Sequence, residues 1–231
     1  FFMVGVIICL VKRTDTAAIP LSVRATSTLI CAFSLIFAAT AISKMFLYID
    51  FYGLTRLRLL TSIFMAAIAL LFIIMILFMY IKRFPAAKCA ICCFAVIGLI
   101  TGFCDVDRTV ASYNVNAHEN GALKELDVEY LGYLSDSAVP YIAKLTESKN
   151  SSVSDDAFHA LYYKAEDLFE INGNKVKFKT ESDPAKYNYS RENARQIIKK
   201  NIKEIIKAWR EREEYSEQAL DFTAQTDYLN P

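Results

Sequence analysis

Cys89-Ala90-Ile91-Cys92-Cys93 is the stretch of this 231-residue chain that comes nearest to a chemical motif. Two thiols in Cys-x-x-Cys spacing can cycle through a disulfide or hold a soft metal. The redox form needs the pair at a helix N-terminus in water, after a strand, where the thiol pKa falls. Here the pair stands where an apolar segment begins, and cysteine also packs as a small apolar residue. Packing is the expectation. The two histidines, His118 and His159, are no better placed for a metal. His118-Glu119 lacks a second histidine four residues on, so the zinc-protease helix is absent. Both histidines read as structural or surface residues.

Two carboxylate pairs, Asp155-Asp156 and Glu166-Asp167, have the residue types for acid–base work. That chemistry requires carboxylates set across a cleft, which neighbours in sequence do not provide. The first pair reads as charge at a helix N-terminus, the second as a solvated helix face. The seven glycines form no phosphate-cradling array, and no Gly-x-Ser-x-Gly elbow occurs. No catalytic, cofactor-binding or metal-binding residue is therefore assigned, no cofactor is expected, and the chain reads more as a non-enzyme than an enzyme.

The charge is distributed in two halves. Residues 1–104 carry a net of +7 and residues 105–231 a net of −6. The basic, charge-poor half suits anchoring in anionic lipid, and the acidic half argues against a nucleic-acid partner. The first half is expected to be a transmembrane helical region, the second a small helical extracytoplasmic domain, giving an all-α fold. Spans are expected at about residues 1–11, 25–48, 57–80 and 86–104. Ala25–Ser43 and Leu59–Tyr80 contain no charge and are apolar on all sides, as a lipid-solvated helix must be. Cys89–Cys104 is shorter, so Lys88 must snorkel or the bilayer thin. Phe1–Val11 would rise only about 16 Å and is read as the end of a span whose start lies upstream.

Lys12, Arg13, Arg24, Lys82, Arg83 and Lys88 fall on one side of these spans, and Lys44, Arg56 and Arg58 on the other. Six against three makes the first side cytoplasmic and the second half external. The absence of cysteine after Cys104 agrees with an exported domain that needs no disulfide machinery.

Between the second and third spans, Lys44–Arg58 mixes aromatic rings with charges, as the headgroup layer selects. Gly53 is expected to end one helix in a left-handed conformation, and Thr55 to cap the next. Lys44 is an ionisable residue beside lipid, hence a site candidate; snorkelling towards Asp50 or lipid phosphate also explains it.

The stretch Ser43-Lys44-Met45, Leu47-Tyr48-Ile49, Tyr52-Gly53-Leu54-Thr55 and Arg56-Leu57-Arg58 resembles a bacterial membrane-protein family, the domain of unknown function 4173, related to 4153. A second block is similar: Asp107-Arg108, Ala111, Tyr113-Asn114-Val115, Leu126-Asp127, Tyr130-Leu131, Leu134-Ser135-Asp136 and Ala138-Val139-Pro140. A third echo is Asn188-Tyr189-Ser190-Arg191 with Ala194, so the resemblance covers about residues 40 to 200. The family usually has Arg where Lys44 stands; the swap keeps charge but loses the planar fork. The resemblance implies further spans before Phe1 and a helical extracytoplasmic tail, and no established activity.

In the second half, helices are expected over Val106–Asn116, Val128–Leu134, from Ser135-Asp136 through Leu145, over Ser154–Ile171, and from Ser190 past Trp209 into a solvated Arg210–Glu214 end. Gly121 should break the first. Asn172-Gly173-Asn174 is a turn, and Val176–Lys179 is expected to be a loop because a lone strand has no visible partner. The overall reading is a cell-envelope scaffold or sensor, multi-pass in the lipid bilayer, with a possible protein partner on its C-terminal helices. The alternative is a part of a transporter or membrane-embedded enzyme whose site lies in helices upstream.

Overall fold

The computed structural model describes residues 20–81, 84–172, 175–178 and 188–227. The expected span at 1–11 and the basic residues Lys12, Arg13, Lys82 and Arg83 lie outside the described residues. The chain separates into two compact units, residues 1–106 and 107–231.

Among the described residues the first unit holds three helices long and apolar enough to cross a membrane: α1 (Leu21–Tyr52), α2 (Arg56–Tyr80) and α3 (Ala86–Phe103). Their apolar residues face all directions, so the helices have no wet side. Leu29, Phe33, Ile36 and Phe37 of α1 and Ile91, Phe94, Leu99 and Ile100 of α3 are exposed, and α3 buries no residue. Surfaces of this kind belong against hydrocarbon or other apolar helices rather than water. At 1.5 Å per residue α1 is about 48 Å long, well beyond about 30 Å of hydrocarbon. Its charged and aromatic final turns can therefore stand in the headgroup layer.

α1 packs on α2, and α2 on α3. The contact is made by Cys31, Phe72 and Met79, flanked by Leu35, Ile68 and Met75. Hydroxyls within the helices are satisfied locally. Thr28 Oγ1 donates to Arg24 O, Ser34 Oγ to Ile30 O, Ser43 Oγ to Ala39 O, Ser62 Oγ to Arg58 O, and Thr101 Oγ1 to Ile97 O. In a medium without water an unpaired hydroxyl costs several kcal/mol, and the carbonyl four residues back is always within reach.

The second unit buries its apolar residues instead. It comprises α4 (Val106–Glu119), α5 (Val128–Gly132), a 3-10 turn (Asp136–Ala138), α6 (Val139–Leu145), α7 (Ser151–Leu168), a hairpin of β1 (Phe169–Asn172) and β2 (Lys175–Phe178), and α8 (Tyr189–Asp227). α5, α6 and α8 all pack on α7. Leu131, Ile142, Leu161, Leu168, Ile198 and Ile205 are almost wholly buried, as are Val110 and Val115 of α4. Each fully buried aliphatic side chain contributes roughly 1.5–3 kcal/mol relative to exposure. α5 approaches α7 closely: a methyl at Gly132 would stand 3.2 Å from the Ala160 Cβ.

Several boundaries match their sequence signals. Asp127 Oδ1 accepts from the Tyr130 N–H at 2.8 Å and caps α5. Gly121, at φ +72°, follows the end of α4. Pro140 is tolerated in the first turn of α6, where no intrahelical N–H is needed.

Three expectations are corrected. α7 begins at Ser151 rather than Ser154, because Asn150 Oδ1 accepts from the Ser152 N–H at 3.1 Å. The segment Val176–Lys179 is not simply loop. Lys175–Phe178 pairs antiparallel with Phe169–Asn172, Asn172 lying opposite Lys175. The partner strand was hidden because Phe169–Ile171 continue the helical spacing of α7. A two-residue connection headed by Asn-Gly suits a hairpin; the pair Gly173-Asn174 itself is outside the described residues. Finally, α8 starts at Tyr189, with Asn188 Oδ1 accepting from the Ser190 N–H at 2.9 Å, and runs to Asp227. Its charged stretch Arg210–Glu214 is built of good helix formers and does not stop it.

Candidate functional site

Two places gather residues with more than a packing role. The first is the α1–α2 corner. Gly53 has φ 75° and ψ 173°, a region essentially reserved for glycine. Its φ is positive as expected, but ψ takes the chain outward rather than into the left-handed helical well. Its N–H still donates to Ile49 O at 2.9 Å. Thr55 Oγ1 accepts from the Arg58 N–H at 3.2 Å and caps α2. Arg58 then reaches back. Its Nη1 donates to Gly53 O at 2.6 Å and Tyr52 O at 3.2 Å, and its guanidinium lies 5.9 Å from the Tyr52 ring centre. Tyr52 in turn stacks on Tyr48. One cation thus occupies the negative end of the α1 dipole and satisfies carbonyls that the helix leaves unbonded. At the other end of the pair, Arg24 lies over Tyr80, and the Tyr80 hydroxyl is 3.2 Å from Thr28 Oγ1.

Lys44 is exposed, and of its two expected partners Asp50 is not in reach, which leaves lipid phosphate. α1 stays helical through Tyr52, and six residues apart on a helix is not a shared face. Arg58, Tyr52 and Thr55 together clamp the corner.

The second place is the face between α7 and α8 in the C-terminal unit. Two adjoining cavities of about 510 and 540 Å³ share Asp156, His159 and Arg212. Arg212 Nη1 pairs with Asp156 Oδ1 at 3.0 Å. The His159 ring meets Tyr163 edge-on at 4.8 Å. Burial holds the His159 pKa below the ordinary 6.5, with the Arg212 charge adding to it and Asp156 and Glu129 opposing. Beneath, Tyr162 and Trp209 stack at 4.3 Å with rings 9° apart, which locks α7 to α8. On the α5 side Tyr133 donates its hydroxyl to Glu129 Oε1 at 3.2 Å, and that bond and charge raise its pKa.

His118 takes a structural position: Nδ1 is 3.2 Å from Leu123 O, bracing the turn after α4. Glu166 and Asp167 lie exposed along α7. Asp155 and Asp156 are corrected. With α7 starting at Ser151 they stand beyond its first turn, Asp155 accepting from Ser151 Oγ and Asp156 turned to Arg212. The thiols of Cys89, Cys92 and Cys93 are free on α3. Among the described residues no group of three His, Cys, Asp or Glu could hold a metal ion. Glu129, Tyr133, Tyr163 and Arg212 were not singled out from the sequence. Glu129 and Tyr133 are local neighbours four residues apart, but Tyr163 on α7 and Arg212 on α8 reach them only through the fold, which no spacing in the sequence announces.

The residues of the second resemblance block are largely the scaffold of α4–α6. Ala111, Val115, Leu131, Leu134, Ala138 and Val139 are buried. Asp107 Oδ2 accepts from the Ser135 N–H at 2.9 Å, tying α4 to the 3-10 turn.

Three helices of this length and composition, followed by a separate helical unit, define a multi-pass helical membrane protein. The chain belongs to the family of the domain of unknown function DUF4153, whose model matches residues 1–145. The match is thus to the relative of the 4173 family, and it ends with α6. The echo at Asn188–Arg191 lies beyond it. No curated protein and no solved structure matches the chain.

Proposed function

We propose that this membrane protein is a non-enzymatic scaffold or sensor of a bacterial cell envelope, and that its C-terminal unit is an extracytoplasmic recognition module. The observation that carries this reading is the α7–α8 face. It offers two cavities of small-molecule size, one of them rimmed by the exposed Tyr133 and Tyr163. Perturbed groups there, His159 and Tyr133, are set by structural neighbours.

The external placement is supported by the excess of basic residues on the opposite side of the spans. Three crossings also bring the α1–α2 corner and the chain after α3 to the same side. The transporter or membrane-enzyme alternative draws little support from α1–α3. Their described charges, Arg24, Lys44, Asp50, Arg56, Arg58 and Lys88, fall in the end portions of the helices.

The test is a photo-crosslinking residue at Tyr189, an exposed position away from the α7–α8 cavities, and a second at Tyr133, in intact cells. A discrete adduct with an extracytoplasmic protein at either position supports the reading. Adducts only with cytoplasmic proteins, or a reporter after Pro231 active only in the cytoplasm, overturn it.

A further inference from the structure

We propose that the cavity between α5, α7 and α8 binds a small organic cation, with an ammonium group held by the Glu129 carboxylate against the rings of Tyr133 and Tyr163. This deepens, and rests on, the reading of the C-terminal unit as a recognition module.

The cavity, about 540 Å³, falls in the range of small-molecule sites. Its floor includes the close approach of Gly132 to Ala160, where an added methyl would be a tight contact at 3.2 Å. Its walls carry two carboxylates, Glu129 and Asp156, and one cation, Arg212. Arg212 is matched by Asp156 at 3.0 Å. The Glu129 carboxylate is held by the Tyr133 hydroxyl, a neutral donor that leaves its charge uncompensated. An anionic ligand would face this charge directly. A neutral apolar ligand would strip water from it without replacement.

A cation meets both demands. It neutralises Glu129, and it is attracted to the electron-rich faces of aromatic rings. Tyr133 is 73 % and Tyr163 57 % exposed, so two phenol rings stand ready at the mouth. His159 forms the inner wall, edge-on to Tyr163. Burial lowers its pKa, which favours the uncharged ring and so weakens any repulsion of a cation.

The experiment is equilibrium dialysis of the full chain in a maltoside detergent. The probes are choline and its uncharged isostere 3,3-dimethylbutan-1-ol. Choline should bind saturably, and the neutral isostere at least about tenfold more weakly, since only the charge differs. Glu129→Gln should weaken choline about tenfold and Tyr163→Leu about fivefold, with helicity unchanged. Both positions are exposed, so neither change threatens the fold. No saturable choline binding at about 10 mM, equal binding of the two probes, or an unaffected Glu129→Gln variant overturns the assignment. A choline failure with the extracytoplasmic crosslink intact sinks this ligand class alone. Choline binding without any such crosslink sinks the protein-partner reading alone.

Discussion

The two units of this chain draw on the same apolar residues and spend them in opposite directions. Among the described residues of α1–α3 most Leu, Ile and Phe side chains point outward, and the buried ones, such as Cys31, Leu71, Phe72 and Met79, form a thin seam. In α4–α8 they point inward, and the surface is left to charge. A helix therefore says little by itself; what surrounds it decides which face its apolar residues take. In the membrane half, hydroxyls bond back to their own helix and cations collect at the ends. In the C-terminal half, polar residues are free to reach between helices, as Arg212 does to Asp156 and Asp107 to Ser135.

The largest expected effect tests that contrast. Ile198→Ala, in the core of the C-terminal unit, should destabilise that unit by about 2–5 kcal/mol. Phe37→Ala on the outer face of α1 should change its stability by less than about 0.5 kcal/mol in detergent. Thermal unfolding followed by limited proteolysis reads both. Equal effects would erase the distinction. Next comes the corner: Gly53→Ala should cost about 1–3 kcal/mol, because a Cβ is strained at this φ and ψ. Thermal aggregation of the detergent-solubilised protein would reveal it, and an unchanged midpoint would show that the corner bends elsewhere.

A smaller effect is expected at the α7–α8 face. Arg212→Met should cost at most about 1 kcal/mol, since the pair with Asp156 is half exposed and screened. A larger loss would mean that the ion pair, rather than the Tyr162–Trp209 stack, joins these helices. The smallest is a slope. The His159 pKa is lowered in the folded unit, so the unfolded chain takes up its proton first as pH falls. The stabilisation is complete above the ordinary 6.5 and declines as pH drops below it. Urea midpoints in that window should fall with pH, and His159→Gln should flatten the decline. An unchanged slope would place the titrating group elsewhere.

The spans were legible because a helix apolar on every side has few alternatives. The corner was legible because Gly53 and Thr55 carry a stop and a start within three residues. The hairpin was not: Phe169 and Ile171 fit the helical period of α7, and only pairing with Val176 and Phe178 decides otherwise. The length of α8 was missed because a charged stretch looks like an end, although Arg and Glu extend helices well. The candidate cavity was invisible for a different reason. Asp156, His159 and Tyr163 share one face of α7, but Glu129 on α5 and Arg212 on α8 join them only through the packing of those helices against α7.

The central claim is that α1, α2 and α3 lie in hydrocarbon. Washing membranes that carry the full chain with alkaline carbonate tests it most directly, because this strips peripheral proteins and leaves bilayer-embedded helices in place. The chain should stay with the sedimented membranes until detergent is added; release into the carbonate supernatant would contradict the account.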